Sequence, residues 1–203
     1  MAKLLEFLGW AADAGIPAIT AWLLSTENLA RPAEELDAYY DILHELFIDT
    51  LPSRARSLDT AISVIGSVDL LPPRLAAAAK SLEEANPGGR RRLTIALAYG
   101  GRQEIVDAVR DLVGDLAAQG VPGEQIAGRV DADAIAANLY TADLPDPDLV
   151  IRTSGESRLS GFLLWQSAYA EYSFIDVYWP AFRRVDFLRA LREFTRRQRR
   201  FGR

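Results

Sequence analysis

Apolar positions follow two rhythms along the chain, and the rhythms alternate. Residues 3–14 and 186–200 repeat apolar side chains at helical spacing, which predicts amphipathic helices at both ends. Ala18–Leu24, Thr60–Ile65, Leu93–Ala98 and the short Leu149–Arg152 are compact apolar runs bounded by Gly, Pro or polar residues, as expected of buried strands. Helical patterns lie between them. Pro32 opens one that runs to about Phe47, with Glu34 and Glu35 in the first turn, where carboxylates suit the helix dipole. Others cover Pro72–Ala85, Arg102–Ala118 and residues 131–140, and Phe162–Ala170 reads as a nearly all-apolar buried helix. Strands alternating with helices predict an α/β fold, a central and mostly parallel sheet flanked by helices. No repeat, low-complexity tract or linker interrupts residues 1–203, so one domain is expected.

Composition narrows the partners. The 203 residues are 49% hydrophobic and 25% charged, with a formal net charge of −5, which argues against a nucleic-acid-binding protein. Arginines nevertheless crowd the last fifteen residues. Such a run is usually a solvated helix face, and contact with an anionic membrane surface is the alternative. The absence of cysteine excludes disulfides and thiolate metal sites and fits a cytoplasmic protein. No apolar run in the sequence is long enough to span a bilayer.

The candidate chemistry concentrates in Arg152–Ser160, Arg-Thr-Ser-Gly-Glu-Ser-Arg-Leu-Ser. It follows a predicted strand and precedes a predicted helix, where open α/β sheets bind ligands. A diphosphate needs fixed positive charge, several donors and close backbone approach. Arg152 and Arg158 offer forked guanidinium groups. Thr153, Ser154, Ser157 and Ser160 offer hydroxyls, and Gly155 allows a tight turn. By composition alone, a polar surface loop is an equally good reading. Glu171, at the end of the apolar 162–170 run, is conspicuous as a carboxylate in apolar surroundings.

The order of residues goes further than their count. Asp148-Leu-Val-Ile-Arg-Thr-Ser-Gly-Glu-Ser-Arg-Leu-Ser160, followed by Gly161-Phe-Leu-Leu-Trp-Gln-Ser-Ala-Tyr-Ala-Glu171, closely resembles the late signature of the cis-prenyltransferases, the undecaprenyl diphosphate synthase family. Ser25-Thr-Glu-Asn28 with Arg31-Pro32, and Ala98-Tyr-Gly-Gly-Arg-Gln-Glu-Ile105, resemble two further motifs of that family. The resemblance implies condensation of isopentenyl diphosphate with an allylic diphosphate. It assigns Arg152, Arg158 and Ser160 to the isopentenyl diphosphate, Glu171 to a Mg2+ ion, and Ser25, Asn28 and Arg31 to the reacting ends of the substrates. Arg200-Phe-Gly202 resembles the family's C-terminal R-x-G, which implies a homodimer.

Leu23 and Leu24 fall where the family's tunnel for the growing chain begins. A bulky Leu23 would obstruct it, because packed interiors tolerate little overlap. A short product, nearer farnesyl than undecaprenyl, is expected, as in the short-chain actinobacterial Z-farnesyl diphosphate synthases that the chain also resembles. The family's tryptophan after Asn28 is replaced here by Leu29. Its first motif, a strand ending in D-G-N-x-R-W-A that carries the central Mg2+ aspartate, has no counterpart. The expectation is therefore an N-terminally shortened domain that lacks one strand of the sheet and turns over weakly or not at all alone. A mis-called start, a fragment and a non-catalytic partner subunit of a heteromeric enzyme all remain open. Asp143, Asp146 and Asp148 are read as an extended loop because Pro145 and Pro147 separate them. His44 is read as structural or exposed.

Overall fold

The computed structural model describes residues 2–196. The first helix, α1 (Ala2–Asp13), buries Leu4, Leu8 and Ala11. It ends at Gly15, whose φ of +74° lets Ile16 N–H donate back to Ala11 O at 2.9 Å. Strands β1 (Ala18–Trp22), β2 (Thr60–Ile65) and β3 (Arg91–Ala96) form one parallel sheet in the order β1-β3-β2. Ile19 and Ile62 flank Leu93 on either side. As the central strand, β3 buries Leu93, Thr94, Ile95 and Ala96 almost completely, which accounts for its lack of charged residues and of polar alternation there. It starts and stops two residues before the span expected from sequence.

Helices connect the strands. Between β1 and β2 lie α2 (Ala33–Glu45), five residues of wider turns at Leu46–Thr50, and α3 (Leu51–Ser57). The α3 helix was not among the expected elements; Pro52 stands in its first turn, where proline is tolerated. Next comes α4 (Pro73–Glu84), which ends beside the outer edge of β2. Glu83 Oε1 accepts the Val64 N–H at 2.6 Å and Asn86 O accepts that of Ile62 at 2.9 Å. These bonds blunt an edge that would otherwise be open to pairing. After β3 come α5 (Gly101–Ala118), the single turn α6 (Gly123–Ile126) and α7 (Ala132–Ala136). The α7 helix is shorter than its pattern suggests and is capped by Asp131 Oδ1, which accepts Ala134 N–H at 2.8 Å.

A second parallel sheet joins β4 (Leu149–Arg152) to β5 (Glu171–Phe174), with Leu149 opposite Glu171 and Arg152 opposite Phe174. Here the structure corrects the sequence reading. Residues 162–170 form a succession of turns rather than a helix, and Glu171 begins a strand rather than ending a helix. The cause is in the backbone. Ser160, Gly161 and Leu163 all have φ between +42° and +90°, a left-handed region from which a right-handed helix does not propagate. The last helix, α8, covers Arg184–Arg196. The expected continuation to Arg200, and the Arg200-Phe-Gly202 motif, lie outside the described residues. Among the described residues no helix is long and apolar enough to cross a membrane.

Two cores share α1. Leu4 and Leu8 pack with Leu43, Phe47, Leu51 and Leu75 beneath the three-stranded sheet. The opposite side of α1 sends Phe7, Trp10 and Ala11 into an aromatic cluster with Trp179, Phe182 and Phe187. Ile19 of β1 and Ile151 of β4 pack against that same cluster, which ties the two sheets together.

Candidate active site

Arg152 is the last residue of β4, and the loop after it is pinned to the chain that leaves β5. Ser154 N–H donates to Val177 O at 2.6 Å and Gly155 N–H to Ile175 O at 3.1 Å. Ser154 and Gly155 adopt φ of +88° and +72° to make these bonds. A Cβ on Gly155 would sit 2.5 Å from Asp176 Oδ1, a side-chain end that can turn aside, so it is the positive φ that favours glycine here. The loop then folds back so that Arg158 meets Arg152. Both guanidinium groups converge on one carboxylate, Glu156. Arg152 Nη2 donates to its Oε2, and Arg158 Nη2 to its Oε1 at 2.5 Å. Arg158 Nε also donates to Ser160 Oγ at 3.2 Å. The three side chains assigned to a diphosphate are thus gathered at one place. Arg152 Nε is buried there with no acceptor.

Ser25 and Asn28 form a compact turn beyond β1. Asn28 N–H donates to Ser25 Oγ and Ser25 N–H to Asn28 Oδ1, each at 3.1 Å. This reciprocal pair serves the short helical turn at Glu27–Ala30 much as a capping box serves a longer helix. Arg31 is exposed at the end of that turn, and its charge reaches Tyr39, whose hydroxyl is nonetheless pushed above its ordinary pKa, chiefly by burial. Leu24 is core, 3% exposed. Leu23 is half-buried against the same core, and its carbonyl accepts the Tyr39 hydroxyl at 2.6 Å.

The segment Tyr99–Gly101 links these two motifs. Ser25 and Tyr99 form a parallel bridge, with Thr26 N–H donating to Tyr99 O at 3.2 Å. Two residues on, Gly101 N–H donates to Gly161 O at 2.9 Å. A Cβ at Gly101 would lie 2.5 Å from that carbonyl, so only glycine allows the approach. Phe162 stacks on Trp22 at 5.2 Å and meets Tyr99 edge-on, which closes the joint with apolar surface. Three stretches far apart in sequence therefore meet where β1, β3 and β4 end.

Glu104, in the first turn of α5, is completely buried below this joint. Its Oε2 accepts the Tyr99 hydroxyl. Its Oε1 accepts Gln166 Nε2 at 2.9 Å and Tyr140 N–H at 3.0 Å. Burial raises its pKa above the ordinary 4.5, and the three hydrogen bonds only partly oppose that. Burial, then the neighbouring Glu104 charge, also raises the Tyr99 hydroxyl, which keeps it a donor. A carboxyl with a raised native pKa favours the fold while protonated. That contribution is lost as pH rises from about 4.5 through the native value. Urea unfolding at pH 5 and pH 8 is expected to show this loss in the wild type and not in Glu104→Gln. Equal pH slopes for the two would contradict it.

Comparison with known proteins is decisive at this point. The family model described as "Putative undecaprenyl diphosphate synthase" matches residues 1–202.

The chain belongs to the undecaprenyl diphosphate synthase family.

Its relatives in this prenyltransferase family include an isoprenyl transferase of Deinococcus radiodurans, 52% identical over 202 residues, which cover 97% of this chain and 73% of that one. The (2Z,6E)-farnesyl diphosphate synthase of Mycolicibacterium smegmatis is 49% identical, covering 99% and 76%. Among solved structures, the lavandulyl diphosphate synthase of Lavandula x intermedia in complex with dimethylallyl diphosphate superposes with a TM-score of 0.92 at 30% identity, covering 100% of this chain and 86% of that one.

Membership of the family raises the question of Mg2+. Glu171, which the resemblance assigned to the metal, starts β5 opposite Leu149, whereas Arg152 lies opposite Phe174. Three residues of strand separate the two ends, roughly 10 Å. Glu171 thus stands at the opposite end of this two-stranded sheet from Arg152. The carboxylate that is there, Glu156, is taken up by two guanidinium groups. No group of three His, Cys, Asp or Glu side chains suited to a metal occurs among the described residues. Asp143 is instead paired with Arg92 at 2.5 Å, and His44 Nδ1 lies 3.2 Å from Arg74 Nη2.

Proposed function

We propose that this chain serves the elongation of an allylic diphosphate with isopentenyl diphosphate to a short Z-prenyl diphosphate, and that alone it turns over weakly or not at all. In that reaction the terminal alkene carbon of isopentenyl diphosphate bonds to C1 of the allylic partner. Diphosphate leaves C1 with the bonding pair, and a proton is lost from the carbon next to the new bond, leaving a Z double bond. The observation that carries the reading is the convergence of Arg152, Arg158 and Ser160 at the end of β4. Two forked cations and a hydroxyl match a diphosphate, and their position fixes the isopentenyl group by its charged end. Ser25 and Asn28 stand at the end of β1, joined to that grip through Tyr99 and Gly101. Mg2+, as a hard cation, would take its oxygen ligands mainly from the substrate diphosphates.

A short product is supported by half-buried Leu23 at the mouth of the core, and by relatives named as short-chain Z-isoprenyl and (2Z,6E)-farnesyl diphosphate synthases. A homodimer is part of the proposal. Tyr169, Phe174 and Tyr178 expose apolar surface in and beside β5, which suits an interface. The test uses labelled isopentenyl diphosphate with Mg2+ and either dimethylallyl or geranyl diphosphate, with products sized after dephosphorylation. Products no longer than farnesyl are expected, and longer ones from Leu23→Ala. A ladder reaching undecaprenyl length in the wild type would overturn the short-chain reading. The absence of both incorporation and isopentenyl diphosphate binding would overturn the whole of it.

A further inference from the structure

We propose that Glu156 is a displaceable internal counter-ion, a specificity-determining residue that holds the diphosphate's place until the diphosphate arrives. The inference rests on the reading of Arg152 and Arg158 as a diphosphate grip. It adds what neither the motif nor the family membership supplies: the grip is already filled by the chain's own carboxylate.

The geometry is specific. The two Glu156 oxygens are divided between the two arginines, Oε2 to Arg152 Nη2 and Oε1 to Arg158 Nη2. A bridging carboxylate of this kind imitates one face of a diphosphate, whose oxygens also bind guanidinium forks in pairs. Its need is local. Arg152 has 22% of its side chain exposed, so an unpaired charge there would be costly in the empty protein. The imitation is also incomplete. Arg152 Nε stays buried with no acceptor, so neither Glu156 oxygen serves it as the carboxylate is placed. A diphosphate has oxygens enough to replace both bonds of Glu156 and to satisfy that remaining donor. The exchange therefore favours the ligand that offers more acceptors, and a ligand with only a carboxylate's worth of oxygens gains nothing over the residue it must displace.

Glu156 also orders the arginines, which would assist binding. Arg152 is held by the strand and its packing without it. Arg158, with 67% of its side chain exposed, keeps a bond to Ser160 but relies on Glu156 for the rest. Competition should win over ordering, because both guanidinium groups must give up a charged partner before the ligand can take them.

The experiment is calorimetric titration of the full chain with inorganic diphosphate and, separately, with isopentenyl diphosphate. It compares the wild type with Glu156→Gln and Glu156→Ala, each first shown folded by circular dichroism. Both variants are expected to bind both ligands about three- to twentyfold more tightly, the range for two partly exposed ion pairs that no longer need breaking. A merely structural Glu156 predicts weaker binding, never tighter. Equal or weaker binding by both variants, with the wild type binding, would overturn the proposal and leave the grip standing. No binding by any of the three would overturn the grip itself, and the proposal with it.

Discussion

Arg152→Ala is expected to weaken isopentenyl diphosphate binding by roughly 30- to 1,000-fold. The range corresponds to the ~2–4 kcal/mol lost when one side of a buried, charge-assisted pair is truncated. Arg152 should carry more of this than Arg158, because 22% of its side chain is exposed against 67%. A charge shielded from water acts through a lower effective dielectric and is worth more to an anion. The substitution also leaves Glu156 holding only Arg158, so the remaining half of the cluster is less constrained. Arg152→Lys should recover part of the loss, since it restores the charge without the fork. Titration calorimetry settles the point. An Arg152→Ala protein that is folded and binds within threefold of the wild type would remove the grip from consideration.

The largest effect on stability is expected at Glu104. Glu104→Ala should destabilise the fold by about 3–5 kcal/mol, because it takes the acceptor from several buried donors at once. The Tyr99 hydroxyl and Tyr140 N–H lose the partner shown for them, while Gln166 Nε2 keeps Thr141 Oγ1 at 3.0 Å. Each orphaned group costs about 1–3 kcal/mol, and the vacated volume adds to it. Against a typical total of about 5–15 kcal/mol, that is a large fraction. Glu104→Gln should cost much less. Its oxygen can still accept from Gln166 and Tyr140, and only the Tyr99 hydroxyl must turn from donor to acceptor of the new amide. Urea denaturation of the three proteins would show the order. A loss below about 1 kcal/mol in Glu104→Ala would mean that water fills the site and takes over the bonds.

The strand that proved easiest to read was the one buried on both faces, Leu93–Ala96, where only Thr94 interrupts the apolar residues. The strand that sequence missed, Glu171–Phe174, hides behind a long apolar stretch. Nothing in the composition of residues 162–170 betrays that Ser160, Gly161 and Leu163 turn left-handed, because only one of them is glycine. That error misplaced Glu171 as a helix end, whereas it begins β5. The arginine cluster was legible because its members lie within nine residues of one another and the loop closes locally. Its internal ion pairs were not foreseen, yet the signal was present: a glutamate four residues after one arginine and two before the other. Glu104 was quoted only as part of a motif. Its burial arises from Tyr140 and Gln166, which are distant in sequence and cannot be paired by inspection of one chain.

The contact between Gly101 and Gly161 bears on how such a protein could be altered by successive substitution. Any side chain at residue 101 would press on the Gly161 carbonyl at 2.5 Å and push away the loop that carries Ser160. Small steps at this joint are therefore closed, and the spacing between the two motifs cannot be tuned by single changes there. Leu23 and Leu29 are only partly buried against the core and touch no such constraint. Diversification has room where the hydrocarbon would lie and almost none where the diphosphate would sit, so new product lengths are more accessible to this fold than new reactive head groups.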